Sequence, residues 1–452
     1  MSLTAGIYRT TITPPYGVEL AGLGYYLERT WQHVRDHLTA TAFVVHDGTR
    51  SVAIIATDLM YMDAEFTQKV RQMVARHTDL QPHAICVSAS HSHNTPTAGL
   101  IRGAGEQHSD YLHAAAQQTA TAAIVAWHRR QPATLHAGKS TLTGFTFNRT
   151  RQNGLVDTQV TAFRADDASG RPFAIVANFH AHPTVMMSLG NTHVSRDYPG
   201  HLVDLLENTY PNATAMYVQG SCGDVNFLSE LWQPDRCLEP GRALAGKTIE
   251  ALSTARRIDN ETVGAAICRP VLPTKRFAKD LVLRENEEGH YRLKTGDTTG
   301  WRESLGRVMV NYPDRFPERY GGDLKKAVGA LARFAVAWTE DVLPDLETRP
   351  ETLETEVQAI RLGDAYLVAN PAELFSQFSL DVRRAWPHKD LMVVGYANAS
   401  ISYMPDAHDI EHSTYAAAQS PKYAGHFPFV PESGPCLVNG MVEALEKSTQ
   451  PH

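Results

Sequence analysis

Histidines follow directly after two apolar runs of this sequence, and their spacing could bring them to one metal ion. Residues 84–88 lead into His91 and His93, and residues 173–179 lead into His182. Ligand sites in open α/β sheets form at the carboxyl ends of strands, so we expect these imidazoles to share such an edge. One ring could hold a metal while its neighbour transfers a proton. A single H-x-H pair is equally compatible with two ordinary loop histidines.

A tight turn with two nucleophilic residues follows another apolar run. Gly220 and Gly223 bracket Ser221 and Cys222. Such a turn can present backbone N–H groups to a ligand, or it can expose Cys222 or Ser221 as a nucleophile. The arrangement differs from the G-x-S-x-G elbow, so we favour the backbone cradle and keep the nucleophile open.

Oxygen ligands are available further along the chain. Pro371 precedes Glu373, which we expect in the first turn of a helix, where the helix dipole favours any carboxylate. Tyr403 and Tyr415 lie in a polar stretch, where tyrosines are usually surface or partner contacts. Asp197 could support a ligand, but ordering the start of a helix is the role we favour.

The elements that must position these residues alternate between β-branched runs and helical patterns, which predicts an α/β fold. We expect a mixed-sheet, layered, α/β hydrolase-like catalytic domain with a loop-rich active site at the carboxyl ends of its strands. The predicted strands are Thr41–His46, Ser51–Thr57, Ala84–Ser88, Phe173–Phe179, Ala213–Val218, Glu356–Leu362, Ala365–Val368 and Met392–Ala397. The predicted helices are Ala64–His77, Tyr111–Arg129, Gly200–Asn208, Pro240–Thr254, Leu324–Leu343 and Phe375–Trp386.

Length and patterning favour one catalytic domain over residues 1–452. The charged segment 269–350, rich in Gly turns, is predicted as an insertion or lobe that is helical mainly in its second half. Residues 398–440 show weak periodicity, and long irregular stretches of this kind often form functional loops. Nothing in the sequence sets the oligomeric state.

Composition excludes several classes of protein. The chain of 452 residues has 42 Lys and Arg against 49 Asp and Glu, which excludes a dedicated nucleic-acid binder. Its five cysteines are an odd number without a CxxC pair, which argues against a disulfide framework and a cysteine zinc site. No signal peptide and no membrane span are evident, so we expect a cytoplasmic protein. The 21 histidines are about twice the usual number.

Short motifs in a fixed order make the chain resemble the catalytic N-terminal domain of the neutral/alkaline non-lysosomal ceramidase family. They cover most of the sequence, and their order is more specific than any one of them. The motifs are Ala5-Gly-Ile-Tyr-Arg-Thr-Thr-Ile-Thr-Pro-Pro, Leu20-Ala-Gly-Leu-Gly, Ser90-His-Ser-His93, Asn148-Arg149, His182-Pro-Thr, Ser195-Arg-Asp-Tyr-Pro-Gly, Gln219-Gly-Ser-Cys-Gly-Asp, Pro371-Ala-Glu373 and Tyr403-Met-Pro.

The resemblance implies one zinc ion per chain and a set of residues around it. The implied ligands are His91, His182, Glu373 and Tyr403, and the implied substrate-binding or oxyanion-stabilising residues are His93, Arg149 and Tyr415. Two imidazoles, a carboxylate and a phenol oxygen suit a borderline ion such as Zn²⁺. The expected reaction is hydrolysis of an amide by metal-activated water, with His93 as the acid that protonates the leaving amine.

Three departures from the family bear on the substrate. The family members established on ceramide carry a C-terminal immunoglobulin-like domain and a secretory signal, which we do not find here. Cys222 stands where those enzymes have Ser. No apolar stripe suited to a membrane surface is evident in the sequence.

These departures favour a small soluble N-acyl substrate, and three alternatives stay open. The first is a true neutral ceramidase that hydrolyses N-acylsphingosine, which requires a lipid-sized apolar groove. The second is an acyl hydrolase with Cys222 as nucleophile, which predicts sensitivity to thiol reagents and indifference to chelators. The third is a non-catalytic metal-dependent binding protein with a closed coordination shell.

Overall fold

The computed structural model describes residues 3–186, 192–232, 236, 238–307, 313–387 and 390–450. The strands are β1 (Thr4–Thr11), β2 (His33–Val34), β3 (Thr39–His46), β4 (Ser51–Thr57), β5 (Ile85–Ala89), β6 (Gln131–Pro132), β7 (Thr134–Thr141), β8 (Thr146–Asn148), β9 (Gln159–Asp166), β10 (Pro172–Phe179), β11 (His193–Val194), β12 (Thr214–Gln219), β13 (Val225–Phe227), β14 (Arg256–Arg257), β15 (Val263–Cys268), β16 (Val271–Pro273), β17 (Thr352–Glu354), β18 (Val357–Leu362), β19 (Ala365–Ala369), β20 (Glu373–Leu374), β21 (Asp390–Val394) and β22 (Tyr403–Met404).

The α-helices and the shorter helical turns lie between these strands. The α-helices are α1 (Ala64–Ala75), α2 (Ser109–His128), α3 (Asp197–Thr209), α4 (Leu238–Ser253), α5 (Lys279–Thr295), α6 (Leu324–Val342), α7 (Ser376–Ala385), α8 (Ala407–Glu411), α9 (Ser420–Ala424) and α10 (Ser433–Ser448). Turns of 3₁₀-helix are formed by Pro82–Ala84, Ser229–Leu231, Pro313–Tyr320 and Leu343–Asp345, and Tyr415–Gln419 form a π-helical turn.

Three mixed sheets carry most of the strands. Their strand orders are β5-β4-β3-β1-β6, β12-β10-β9-β7-β14 and β15-β18-β19-β21. Each sheet is mainly antiparallel but contains one parallel pair: β4 with β5, β10 with β12, and β19 with β21. A parallel pair brings two carboxyl ends to the same edge, so each sheet offers one edge at which two loops begin side by side.

The three sheets pack around a shared apolar cluster, and helices cover their other faces. Residues alternate between these two environments along a strand because successive side chains point to opposite faces. In β10, Val176 lies in the cluster shared by the sheets, whereas Ile175 and Ala177 pack in the cluster that contains Leu202 of α3 and Leu244 of α4. The helices α1 and α2 cover the first sheet in the same way.

The predicted mixed α/β class is confirmed, and each predicted strand and helix overlaps an observed one. The sequence patterns missed β1, β7 and β9, because polar residues interrupt their apolar alternation. The predicted strand Met392–Ala397 is wrong at its end, since β21 stops at Val394. The expected hydrolase-like layering of the sheets stays a prediction.

The charged segment 269–350 is anchored at both ends by a short ladder, β16 with β17. It is helical in its first half as well as in its second, which corrects the expectation, because α5 lies alongside α6. Glu285 of α5 accepts hydrogen bonds from Trp338 and Lys422, which ties the segment to α9. Within the described ranges, no helix combines the length and apolar character required to cross a membrane.

Candidate metal centre and active site

Four of the seven predicted site residues emerge from the carboxyl ends of the three parallel strand pairs, whereas Arg149 follows β8, Tyr403 lies in β22 and Tyr415 begins the π-helical turn. Five strands from three different sheets thereby aim their following loops at one place. His91 and His93 follow β5, His182 follows β10, Cys222 follows β12, Glu373 follows β19 and Tyr396 follows β21. The structure therefore brings together residues that lie far apart in the sequence.

The three imidazoles of the site share one tautomer. Each Nδ1 lies against a backbone carbonyl oxygen, which can only accept a hydrogen bond, so Nδ1 carries the proton and Nε2 a lone pair. His91 Nδ1 donates to Met60 O at 3.1 Å, His93 Nδ1 to Gly22 O at 2.8 Å and His182 Nδ1 to Val225 O at 3.2 Å.

The Nε2 lone pairs converge on each other and on one carboxylate oxygen. Glu373 Oε2 lies 3.1 Å from His182 Nε2 and 3.4 Å from His91 Nε2. His93 Nε2 lies 3.3 Å from His91 Nε2. The rings of His91 and His182 are 5.1 Å apart between centroids, which is compatible with a shared ion.

Burial fixes the protonation of these groups. It lowers the pKa of His91 and of His182 well below the usual value, and that of His93 to about 3, so all three are neutral near pH 7. Burial also raises the pKa of Glu373 to about 8, although hydrogen bonds from Tyr403 and Tyr396 oppose that shift.

The donor set fits a divalent cation. One proton on Glu373 could satisfy only one of the contacts between acceptor atoms, whereas a cation would accept all of these lone pairs at once. Two or more neutral imidazoles with a carboxylate are ligands that suit zinc. The group therefore has the chemistry of a metal site.

A second group of candidate ligands, Asp406, His408 and Asp409, fits a cation less well. Asp406 already binds Arg151, and Asp409 accepts a hydrogen bond from the hydroxyl of Thr414 at 2.8 Å. His408 is exposed. The negative charge of Asp406 is thus already balanced by a cation of the protein.

Glu373 reaches the site from a short strand, which corrects the prediction that it lies in the first turn of a helix. It belongs to β20, and α7 begins only at Ser376. The turn that contains Gly220 and Gly223 packs closely against this strand: a methyl group on Gly223 would lie 2.4 Å from the carbonyl oxygen of Glu373. Only glycine permits that approach.

Arg149 and two tyrosines complete the predicted set. Arg149 donates to the hydroxyl of Tyr403 at 2.6 Å and to Gly223 O at 3.1 Å. Burial raises the pKa of Tyr403 well above its usual value, and the charge of Arg149 opposes that rise. The ring of Tyr415 meets that of Tyr403 edge-on at 5.9 Å. Tyr415 begins a π-helical turn, a feature frequent at functional sites.

Two further tyrosines, missed by the sequence reasoning, hold the carboxylate of Glu373. Tyr61, after β4, donates to Oε1, and Tyr396 donates to Oε2 at 3.3 Å. Tyr396 also stacks on His91 with centroids 4.1 Å apart, and both residues have positive φ, a strained backbone that clusters at functional sites. Tyr61 follows a predicted strand end and could have been found, whereas Tyr396 was hidden inside the overlong predicted strand.

The turn around Cys222 positions its neighbours through carbonyl groups, not through N–H groups as expected. Amides of the turn donate within the protein, for example Gly223 N to Leu374 O at 3.0 Å. The carbonyl oxygen of Gly223 accepts a hydrogen bond from Arg149, and that of Val225, which begins β13 just after the turn, accepts one from His182.

The thiol of Cys222 lies in surroundings that oppose ionisation. It is buried and contacts the hydroxyl of Tyr396 at 2.9 Å. Burial raises its pKa to about 12, which leaves the nucleophilic thiolate scarce. The Cys222-nucleophile alternative thus finds no support in this geometry.

Asp197 has the contacts of a structural residue. It is the first residue of α3, and its carboxylate accepts hydrogen bonds from Met186 N at 2.7 Å and Tyr198 N at 2.6 Å. Two positions of the sequence reasoning, Cys237 and Asn191, lie outside the described residues.

Comparison with known proteins agrees with the motifs. The family model described as "Neutral/alkaline non-lysosomal ceramidase, N-terminal" matches residues 4–226, which include His91, His93, Arg149 and His182. Over these residues the chain belongs to that family. No curated protein sequence gives a significant match.

Solved structures of the family share the fold over nearly the whole chain. The neutral ceramidase from Pseudomonas aeruginosa superimposes with a TM-score of 0.72 and 19% identity, covering 98% of this chain and 74% of that one. A ceramidase complexed with C2 gives a TM-score of 0.70 and 17% identity, covering 99% of this chain and 76% of that one. The fold thus extends past the matched residues to those that carry Glu373, Tyr403 and Tyr415.

Proposed function

We propose that the protein is a metal-dependent hydrolase that cleaves an amide (N-acyl) bond of a small soluble substrate. The observation that carries the proposal is a cluster of three imidazoles, two of which, His91 and His182, direct their Nε2 lone pairs at the buried carboxylate of Glu373. Membership of a ceramidase family supports an amide as the bond that is cleaved.

Zinc is the ion we propose, one per chain, with His91, His182, Glu373 and Tyr403 as ligands. Neutral imidazole nitrogen, carboxylate and phenol oxygen suit an ion of borderline softness. When bound, such an ion would polarise the amide carbonyl and make a water molecule nucleophilic near neutral pH.

Arg149 and Tyr415 bind and polarise the substrate in this proposal. The guanidinium of Arg149 is held by Gly223 O and favours the ionised form of Tyr403. Tyr415 packs edge-on against Tyr403, so its hydroxyl can donate to the oxygen that becomes negative as the carbonyl is attacked.

His93 transfers the proton in this proposal. Its Nε2 lone pair accepts a proton from the attacking water and returns it to the nitrogen of the leaving amine. Because burial lowers the pKa of His93 to about 3, the ring is neutral near pH 7 and its Nε2 lone pair is available to the substrate. The bond from Nδ1 to Gly22 O keeps the ring oriented during both steps.

Hydrolysis of N-acylsphingosine is the second candidate, and family membership favours it. The two candidates differ in the acyl group and the amine that the site accepts. A ceramidase requires a long apolar groove, whereas a small-substrate enzyme does not.

The test combines metal analysis with an activity screen. We expect about one zinc per chain, loss of activity on chelation, recovery on adding zinc, and faster cleavage of short N-acyl substrates than of long-chain ceramide. A preference for long chains would establish the ceramidase instead. Stoichiometric metal with no amide hydrolysis at any chain length would support the non-catalytic binding protein.

Matched variants locate the metal. Glu373→Gln should lose the metal, whereas Glu411→Gln, a change at an exposed glutamate of α8, should keep it. Exchanging His408, the exposed member of the second group, for Asn should also leave the zinc content unchanged. If Glu373→Gln retains zinc and the His408 variant loses it, the ion binds at the second group, Asp406, His408 and Asp409, and our assignment is overturned.

A further inference from the structure

Arg319 lies beside the candidate active site and belongs to the charged segment, in the 3₁₀ turn Pro313–Tyr320. The neighbouring Tyr320 fixes this turn, since its hydroxyl donates to Tyr25 O at 2.6 Å and accepts from Tyr25 N at 3.2 Å. The Arg319 side chain runs along Gly24: a methyl group on Gly24 would lie 3.5 Å from Arg319 Cδ.

The loop that contacts Arg319 also builds the active site. Gly22, two residues before Gly24, provides the carbonyl oxygen that orients His93. Tyr25 accepts a hydrogen bond at 2.9 Å from Gln419, which ends the π-helical turn that Tyr415 begins. Arg319 therefore packs against the loop that orients His93, and the same loop is hydrogen-bonded to the turn that carries Tyr415.

The charge of Arg319 reaches both of those residues. It contributes to lowering the pKa of His93, and it also acts on the pKa of Tyr415. The buried guanidinium of Arg29 is close enough to Arg319 for the two charges to disfavour each other.

Arg319 has no carboxylate partner among the described residues. The tyrosines around it, Tyr415, Tyr320 and Tyr25, are neutral near pH 7 and do not balance its charge. Arg315, one turn earlier, is different, since it is exposed and pairs with Glu318 at 3.1 Å. Arg319 is half-buried, and burial lowers its pKa, which reflects the cost of partly desolvating a charge that has no carboxylate partner among the described residues.

A guanidinium in such a place is suited to a ligand that brings the missing negative charge. Arginine binds carboxylates through two parallel N–H donors, and that pairing strengthens where water is excluded. In the proposed reaction His93 protonates the leaving amine. Because Arg319 lies near His93, we expect the negative charge of the ligand to be on the amine part of the substrate.

We propose that Arg319 binds a carboxylate on the amine part of the substrate, so that the protein hydrolyses N-acyl amino acids. This inference rests on the proposed amide hydrolase and narrows its substrate class. It also provides a role for the charged segment, which delivers a substrate-recognising side chain to a site built by the three sheets.

The experiment compares substrates in which a carboxylate lies on the amine part, is absent, or lies on the acyl part. N-hexanoyl-L-alanine carries the carboxylate on the amine part, N-hexanoyl-L-alaninol replaces it with a neutral hydroxymethyl group, and the N-propyl monoamide of succinic acid carries it on the acyl part. We expect kcat/KM for the first to exceed that for the second by about 10- to 100-fold, as for hydrogen bonds to a charged group.

Three variants assign the effect to one residue. In Arg319→Met the ratio of kcat/KM between the alanine and alaninol substrates should fall towards one, and Arg319→Lys should restore part of it. Arg315→Met, on the same 3₁₀ turn, should keep the wild-type ratio. Equal ratios in wild type and Arg319→Met would overturn the inference, and so would a preference for the succinic monoamide.

Equilibrium binding separates failure of this inference from failure of the proposed function. Calorimetry with N-hexanoyl-L-alanine and its alaninol analogue needs no turnover. If neither compound is hydrolysed but the carboxylate binds more tightly and Arg319→Met abolishes the difference, the hydrolase is wrong and the carboxylate site stands. If both are hydrolysed and bound alike, the hydrolase stands and the role of Arg319 is wrong.

Discussion

Glu373 and Tyr403 are register partners in a two-stranded parallel sheet formed by β20 and β22. Backbone pairing, with Glu373 N donating to Ser402 O at 2.8 Å, therefore brings two of the proposed ligands to the same point. Because aligned residues of a parallel pair place their side chains on the same face, the carboxylate and the phenol arrive together. Two segments distant in sequence thus contribute adjacent oxygens.

The first prediction distinguishes a ligand from a proton carrier. His182→Ala removes a nitrogen that lies 3.1 Å from Glu373 Oε2, so zinc affinity should fall by more than about 100-fold, the upper range for supporting residues alone. His93→Ala should keep the zinc and lose activity, since it leaves the four proposed ligands in place and removes the proposed proton carrier. Competition with a chromophoric chelator measures both affinities, and equal loss would show that His93 is a ligand.

The second prediction concerns Tyr61, whose hydroxyl donates to Glu373 Oε1. Tyr61→Phe removes that donor without changing the volume of the ring, so zinc affinity should fall by about 10- to 100-fold, as for other residues that orient ligands. Tyr16→Phe serves as control because Tyr16 is 76% exposed. Unchanged zinc affinity in Tyr61→Phe would mean that Glu373 is oriented without it.

The third prediction separates metal chemistry from thiol chemistry. Cys222→Ser should retain zinc and most of the activity, because burial raises the pKa of the thiol to about 12 and a nucleophilic thiolate is scarce. Alkylation should modify Cys436, the partly exposed cysteine among those described, without inactivating the enzyme. A zinc-loaded Cys222→Ser protein without activity would return the thiol to the mechanism.

The fourth prediction uses the buried carboxylate of Asp157, beneath the site. Ser379 Oγ and Arg383 Nε donate to its Oδ2 at 2.9 and 3.0 Å. Burial by itself would raise the pKa of Asp157, but the charge that His180 carries below its own pKa of about 4, the charge of Arg383 and these hydrogen bonds outweigh it and lower the pKa to about 2. The folded protein therefore favours the ionised form more strongly than the unfolded chain does.

A depressed carboxyl pKa contributes stability above pH ~4 that is lost as the pH falls towards the folded value. Asp157→Asn should therefore lower the free energy of unfolding by about 2 kcal/mol at pH 7, and the difference should shrink between pH ~4 and ~2. Urea denaturation at several pH values measures it. Asp259→Asn, at an exposed loop position, should differ little from wild type, and a gap for Asp157→Asn that stays constant down to pH 3 would contradict the linkage.

The histidines that follow β5 and β10 were predictable as site residues because the signals that identify them are local in the sequence. The apolar runs before His91 and His182 identified β5 and β10 from side-chain pattern alone, and the family motifs connected these histidines with Glu373 and Tyr403. Glu373 was placed in a helix because Pro371 resembles a helix start. The pairing with Tyr403, a long-range contact, makes that position a strand instead.

The sequence by itself determined the mixed α/β class, the family and the residue types that could hold a metal, since all of these follow from periodicity and short motifs. Only the tertiary structure decided that three separate sheets aim their parallel strand ends at one centre. It alone showed that Tyr61 and Tyr396 hold the carboxylate and that Arg319 of the charged segment packs against Gly24, in the loop that orients His93. These relationships depend on packing between elements distant in sequence, which local pattern does not encode.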